Sequence, residues 1–352
     1  MPKFSGYYGN LIYLYQIELI TSTTMKKIPF SRREFLQKST LAMAALSAGA
    51  LTVSSGAGEL FTENKNKIPR RLFGKTGEKV SILGYGGGSQ FLRMPDGEWE
   101  PHLQYALDAG VNYFDTASAY SSNNDPKTSE MRYGEVLPPY RKKIMILTKI
   151  DKREPGEAKK EFEKSLKDLK TDYVDILLIH AIKPEDTLAG IESGIYKYLM
   201  ELKEQKAVRF IGFSSMDSAE RSKELIEKLE FDITLLAMNP TNYRNFADIA
   251  LPAARAKNMG IIAMKVMRDI VNKHAPPKDL LEYAWNLNGV SCAVVSQTGM
   301  DPLKQNIEIA RNFVPGRQSD AQRKSLESRM AHLGGPHVLE WARPDYSDGI
   351  LA

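Results

Sequence analysis

The chain has a single cysteine, Cys292, set in the apolar run SCAVV. A lone cysteine makes neither an intramolecular disulfide nor a thiolate cluster, and in such a run it reads as a small buried hydrophobe. HExxH and CxxC are missing, and the five histidines are scattered at 102, 180, 274, 332 and 337. No metal site is expected from that spacing. The glycine run Gly84-Tyr85-Gly86-Gly87-Gly88 lacks the GxGxxG spacing, and a polar loop rather than a helix follows it. This speaks against a dinucleotide site of the doubly wound open-sheet kind.

A strong charge is also missing from most of the chain. The formal net charge is +5 over 352 residues. Six basic residues (Lys3, Lys26, Lys27, Arg32, Arg33, Lys38) and only two acidic ones (Glu18, Glu34) precede Glu59. The remainder is nearly neutral, so no nucleic-acid partner and no lasting membrane contact are expected for it. Residues 31–38 read SRREFLQK and lead into the Ala/Ser/Gly-rich stretch STLAMAALSAGALTV. A basic head, a short apolar run and a small-residue end make an export signal. The paired arginines, with Phe35, Leu36 and Lys38, resemble the twin-arginine (Tat) motif. The expectation is a protein handed to the Tat machinery through residues 31–38, touching the membrane only in transit and working in the periplasm. Met25 looks like a natural start. The domain reading is 1–24 an extended start without structure, 25–58 the signal, 59–69 a linker, 70–315 the folded body and 316–352 a C-terminal helix and loop extension.

What is present after residue 70 is alternation. Arg70–Phe73 and Lys79–Leu83 flank GKTG, a plausible hairpin. Apolar runs of strand length then recur at Val80–Gly84, Val111–Thr116, Ile144–Lys149, Tyr173–His180, Val208–Ser214, Ile233–Asn239, Gly260–Val266 and Ser291–Val295. Helical patterns separate them, among them Glu157–Leu169, Glu185–Lys203 and Ser218–Leu229, with Ser129–Val136 the weakest. Unbroken apolar strands suit parallel pairing buried on both faces. Eight such strands alternating with helices are the count of an α/β fold, the (β/α)8 TIM barrel, here with an N-terminal β-hairpin and a C-terminal tail.

Three of the strands end in reactive side chains. VNYFDTASAY delivers Asp115 and, five residues on, Tyr120; IMILTKI delivers Lys149; YVDILLIH delivers His180. Singly, each reads as a capped loop, a solvated charge, a core imidazole or a rim aromatic. Together at strand ends they form the pattern of an acid–base site on a barrel mouth. A free phenol titrates near ~10, and a neighbouring ammonium would lower that value.

With these segments, VRFIGFSS, GIIAMKV and a late LKQN, residues 70–315 resemble an aldo-keto reductase. The resemblance implies an NAD(P)-dependent oxidoreductase that interconverts a carbonyl, an aldehyde, ketone or sugar, and an alcohol. It implies Tyr120 as general acid/base, Lys149 and Asp115 as the pair that tunes it, and His180 as the donor that polarises the substrate oxygen. It further implies cofactor contacts from Ser214, Ser215 and Asn239 to the nicotinamide amide, from the loop begun by Met264, Lys265, Val266 and Met267 to the pyrophosphate, and from Asn306 to the adenine. That loop is glycine-rich in the family and reads MKVMRD here. TGMDPLKQ lacks the arginine that grips a 2′-phosphate, which leaves NADP and NAD both open. An exported reductase would carry its cofactor tightly bound. The alternative is a binding or regulatory protein on the same scaffold.

Overall fold

The computed structural model describes residues 59–62 and 64–351. The export signal and the first start lie outside the described residues. Arg70–Leu72 (β1) and Lys79–Ser81 (β2) pair antiparallel as a hairpin. Eight strands then close into an all-parallel barrel: Leu83–Gly86 (β3), Tyr113–Asp115 (β4), Met145–Ile150 (β6), Val174–Ile179 (β7), Val208–Ser215 (β8), Ile233–Ala237 (β9), Gly260–Met264 (β10) and Val290–Val295 (β11). The barrel runs in chain order, and β11 closes on β3. A short strand, Ser121–Ser122 (β5), stands outside it and pairs in parallel with Ile350–Leu351 (β12).

The apolar runs become strands because both faces are covered. Every residue of β6, β7, β9, β10 and β11 is buried. Helices lie between consecutive strands and start where the sequence supplies caps. Thr128 caps Ser129–Val136, Glu154 caps Pro155–Asp168 and Ser218 caps Ala219–Lys228, each accepting a backbone N–H with its side chain. In the C-terminal extension, Ser319 and Gln322 form a reciprocal capping box at the start of Asp320–Met330.

Several boundaries differ from the sequence reading; a short helix, Ser89–Leu92, follows Gly88 at once where the sequence reads as a loop, and two further differences have identifiable causes. The run 80–84 is not one strand: β2 ends at Ser81 in the hairpin, and the barrel strand begins at Leu83. Asn112 fixes this break, because its side-chain oxygen accepts the Ser81 N–H at 2.7 Å while its amide donates to the Lys79 carbonyl at 2.9 Å. The expected helix Glu185–Lys203 is divided into Leu188–Ile191, a π-turn at Glu192–Tyr196 and Lys197–Glu204. Gly194 sits in the π-turn at φ −104°, ψ −108°, outside the helical region.

The hairpin lies at the N-terminal ends of the strands. Phe73 is fully buried, edge-on to Tyr113 at 6.2 Å, and Lys75 N–H bonds the Asn258 carbonyl just before β10. The opposite, C-terminal end of the barrel is left for chemistry.

Candidate active site at the C-terminal mouth of the barrel

β4, β6 and β7 are consecutive neighbours in the barrel. Asp115, at the end of β4, Lys149, near the end of β6, and His180, just after β7, therefore converge. The loop after β4 is held down from behind. Gly87 N–H bonds the Asp115 carbonyl at 2.7 Å, an approach that a Cβ at Gly87 would block by striking Ser129 Oγ and that same carbonyl. Tyr133 donates its hydroxyl to the Asp115 carbonyl at 3.1 Å, and the buried Arg132 holds Asp125 and the Phe91 carbonyl. Tyr120 is thereby folded back over the barrel end, 5% exposed.

Lys149 is 1% exposed and spends all three of its donors locally. Its Nζ lies 2.7 Å from Asp115 Oδ1, 2.8 Å from the Thr116 carbonyl and 3.1 Å from the Tyr120 hydroxyl. His180 is oriented from its far side, where Nδ1 faces Asp151 Oδ1 at 2.6 Å. Its ring meets that of Tyr120 edge-on at 5.6 Å.

The tail supplies what the sequence did not announce. Asp348, two residues before β12, places Oδ2 between the Tyr120 hydroxyl (2.9 Å) and His180 Nε2 (3.1 Å). Its Oδ1 accepts from Lys265 Nζ at 2.6 Å and from the Tyr346 hydroxyl at 3.1 Å. Lys265 also donates to the Tyr346 hydroxyl at 2.9 Å. Asp151, Tyr346 and Asp348 were all missed from sequence. Asp151 had a signal, lying two residues past Lys149 on the same strand end. The only signal for the others was an acidic and aromatic cluster, DYSDG, in an otherwise featureless tail.

The electrostatics correct one expectation. Tyr120 is not eased toward phenolate: burial first, then the charges of Asp348 and Asp115, push it well above the ordinary phenol value. A carboxylate that accepts the phenolic hydrogen stabilises the protonated form and outweighs the ammonium behind it. Burial likewise raises Asp115 despite Lys149. For His180, burial alone would lower the pKa, but hydrogen bonds to Asp151 and Asp348 raise it. Both ring nitrogens face carboxylate oxygens, which only accept, an arrangement that favours the doubly protonated imidazole. Asp348 is held well below the carboxylate range, its burial outweighed by Lys265 and His180.

A groove of about 360 Å³ opens beside Tyr120 and Asp115 and runs between the loop after β10 and the loop after β11. Met264, Lys265, Val266, Met267 and Asn306, which the sequence reading assigns to cofactor contacts, line it. Asn306 donates to Gln297 at 2.8 Å, while its own Oδ1 is buried without a partner, an acceptor suited to an adenine amino group. Residues of the groove thus fit a nicotinamide dinucleotide. Ser214, Ser215 and Asn239 are not among its walls. Ser214 Oγ accepts from Ala181 N–H, Ser215 Oγ donates to the Ile182 carbonyl, and Asn239 bonds the Lys265 carbonyl and Thr241. Their polar atoms are used to shape the loops that carry His180 and Lys265. Arg268 reaches the groove but is tied to Ser89, Asp269 and Glu340.

Comparison with known proteins agrees with this architecture. Residues 83–269 match the model of the aldo/keto reductase family. L-galactose dehydrogenase of Arabidopsis thaliana is 28% identical over 225 residues, which is 60% of this chain and 70% of that protein. Among solved structures, PA4992 of Pseudomonas aeruginosa superposes with a TM-score of 0.60 at 27% identity, over 69% of this chain and 94% of that one. The aldo-keto reductase AKR11C1 of Bacillus halodurans shares the fold, with a TM-score of 0.61 at 18% identity over 75% and 96% of the two chains. The family match, the closed parallel barrel and the placement of the site at its C-terminal mouth lead to one assignment: this chain belongs to the aldo/keto reductase family of carbonyl and alcohol oxidoreductases.

Proposed function

We propose that the protein is an NAD(P)-dependent reductase of small carbonyl compounds, and the reverse dehydrogenase, with Tyr120 as its proton donor and acceptor. One observation carries this reading: two donors, the Tyr120 hydroxyl and His180 Nε2, converge on a single oxygen position at the mouth of the groove. That is the arrangement a carbonyl oxygen needs as it gains negative charge. A bound reduced nicotinamide supplies the hydride. Tyr120 releases its proton to the substrate oxygen, and the phenolate left behind faces the Lys149 ammonium at 3.1 Å. Asp115 holds that ammonium in place, and Asp151 keeps Nε2 of His180 turned toward the substrate. In the oxidative direction Tyr120 takes the proton back. A substrate oxygen standing where Asp348 Oδ2 stands removes one of the charges that now hold the phenol protonated.

The test is reduction of 4-nitrobenzaldehyde with NADPH and with NADH by the wild-type protein and Tyr120→Phe. Turnover should fall about 10²- to 10⁴-fold in the variant, while nicotinamide fluorescence still reports cofactor binding. Equal rates in the two proteins would refute the assignment. The twin-arginine pattern at residues 31–38 supports Tat export to the periplasm with the nicotinamide already bound. Cell fractionation of wild type against Arg32→Lys/Arg33→Lys, with an absorbance scan of the purified periplasmic protein, checks both points.

A further inference from the structure

Asp348 is bound by the site in the manner of a ligand. One oxygen takes the two donors that the proposed mechanism reserves for the reacting oxygen; the other takes Lys265 and Tyr346. Lys265 has no task in the proton chemistry. Its side chain is 9% exposed, its backbone holds a left-handed φ of 56°, and both hydrogen-bond partners of its ammonium belong to the tail. A side chain other than glycine's in that backbone region is held there by its surroundings. Lys265 is thus a buried cation, aimed at the reaction centre, whose counter-charge sits on a separate segment of chain.

The Lys265 ammonium has its carboxylate partner only while Asp348 is in place. Lys149, Lys265 and doubly protonated His180 face Asp115, Asp151 and Asp348. A substrate oxygen can reach Tyr120 and His180 only if the Asp348 carboxylate gives up that position. Its departure leaves the buried Lys265 ammonium without its carboxylate, which is costly unless another anion replaces it. The geometry points to a substrate that brings this anion itself: a 2-oxo acid, or in reverse a 2-hydroxy acid, with its carbonyl oxygen on Tyr120 and His180 and its carboxylate on Lys265. Asp348 is then an intramolecular stand-in for such a substrate, and Lys265 the residue that sets the preference. In a 2-oxo acid the two oxygens sit on adjacent carbons, close to the spacing that one carboxylate spans. The reaction is the one already proposed: the carbonyl π bond breaks, hydride from the reduced nicotinamide bonds to carbon, the Tyr120 proton goes to oxygen, and the nicotinamide is left oxidised.

This inference rests on the reading of Tyr120 as acid/base, so its test has a readout that does not need turnover. Calorimetry with oxamate, which has the 2-oxo acid shape but is not reduced, is run on wild type, Asp348→Ala, Asp348→Asn and Asp348→Ala/Lys265→Met, each saturated with NAD or NADP. Oxamate should bind about tenfold or more tighter once residue 348 loses its charge, and the added Lys265→Met should abolish that gain. In parallel, kcat/KM for phenylglyoxylate over its methyl ester should rise about tenfold in the residue-348 variants. Unchanged oxamate affinity, or an acid-to-ester ratio that stays near one, overturns the proposal. So does loss of oxamate binding in both residue-348 variants, which would make Asp348 a required part of the site. Absence of 4-nitrobenzaldehyde turnover alongside tighter oxamate binding would instead count against the assigned reaction and leave the anion site standing.

Discussion

Gly349→Ala should lift the tail from the catalytic mouth. Gly349 lies at φ 74°, and a Cβ added there would come within 1.8 Å of a ring carbon of Tyr120. Tyr120 cannot swing aside freely, since its hydroxyl is bonded to Lys149 and Asp348 and its ring is packed against His180. Two penalties add. The left-handed backbone costs a side-chain-bearing residue about 1–2 kcal/mol. Overpacking against a fixed ring costs roughly 1–3 kcal/mol. The sum, about 2–5 kcal/mol, shifts the docked-to-undocked ratio by a factor of roughly thirty to several thousand. Hydrogen–deuterium exchange of the peptide covering residues 345–351 measures this directly. Its amides should exchange faster by about that factor, while the barrel strands keep their protection because the substitution touches none of them. Exchange of the tail peptide indistinguishable from wild type would show that the backbone at 349 does not run against Tyr120, and the reasoning would fail.

Other consequences follow from the same geometry. Lys149→Met leaves the Asp115 carboxylate buried without its cation, and should cost about 3–5 kcal/mol of stability by denaturant titration, whereas a surface ion pair such as Lys223 with Glu227 should cost little when broken. Because His180 has a raised pKa in the docked state, its contribution to docking is fully present below the ordinary histidine range and is lost as pH rises through the raised value. Exchange of the 345–351 peptide, corrected for intrinsic pH effects, should therefore quicken at alkaline pH, and this extra pH dependence should vanish in His180→Gln. Asp151→Asn removes one of the two carboxylates behind that rise, so the histidine titration followed by NMR should move downward. A His180 pKa unchanged by Asp151→Asn would contradict the pairing.

The barrel was legible because burial on both faces leaves a plain mark: β6, β7, β9, β10 and β11 are buried throughout and mostly apolar, and each of the three reactive residues closes or follows a strand-length apolar stretch. Breaks that depend on one side chain were not legible. Nothing in the run 80–84 shows that Asn112, some thirty residues on, splits hairpin from barrel. The residues at the ends of β8 and β9 were identified, but whether Ser214, Ser215 and Asn239 face a groove or the loop backbone depends on the last turn of chain after each strand. Asp348 was illegible for a different reason. It meets Tyr120 across a separation of 228 residues, from a segment with no helical or strand periodicity to announce where it goes. With it went the sign of the shift on Tyr120, since the anion that sets it comes from the far end of the chain.

The saturation of Lys149 also bears on selectivity. An ammonium offers three hydrogens, and Asp115, Thr116 and Tyr120 consume them all. No incoming molecule can recruit this lysine without evicting a neighbour, so its influence is the same for every guest. Discrimination among guests must then be exercised by groups whose valences become free when the tail departs, and the amine of residue 265 is one of these.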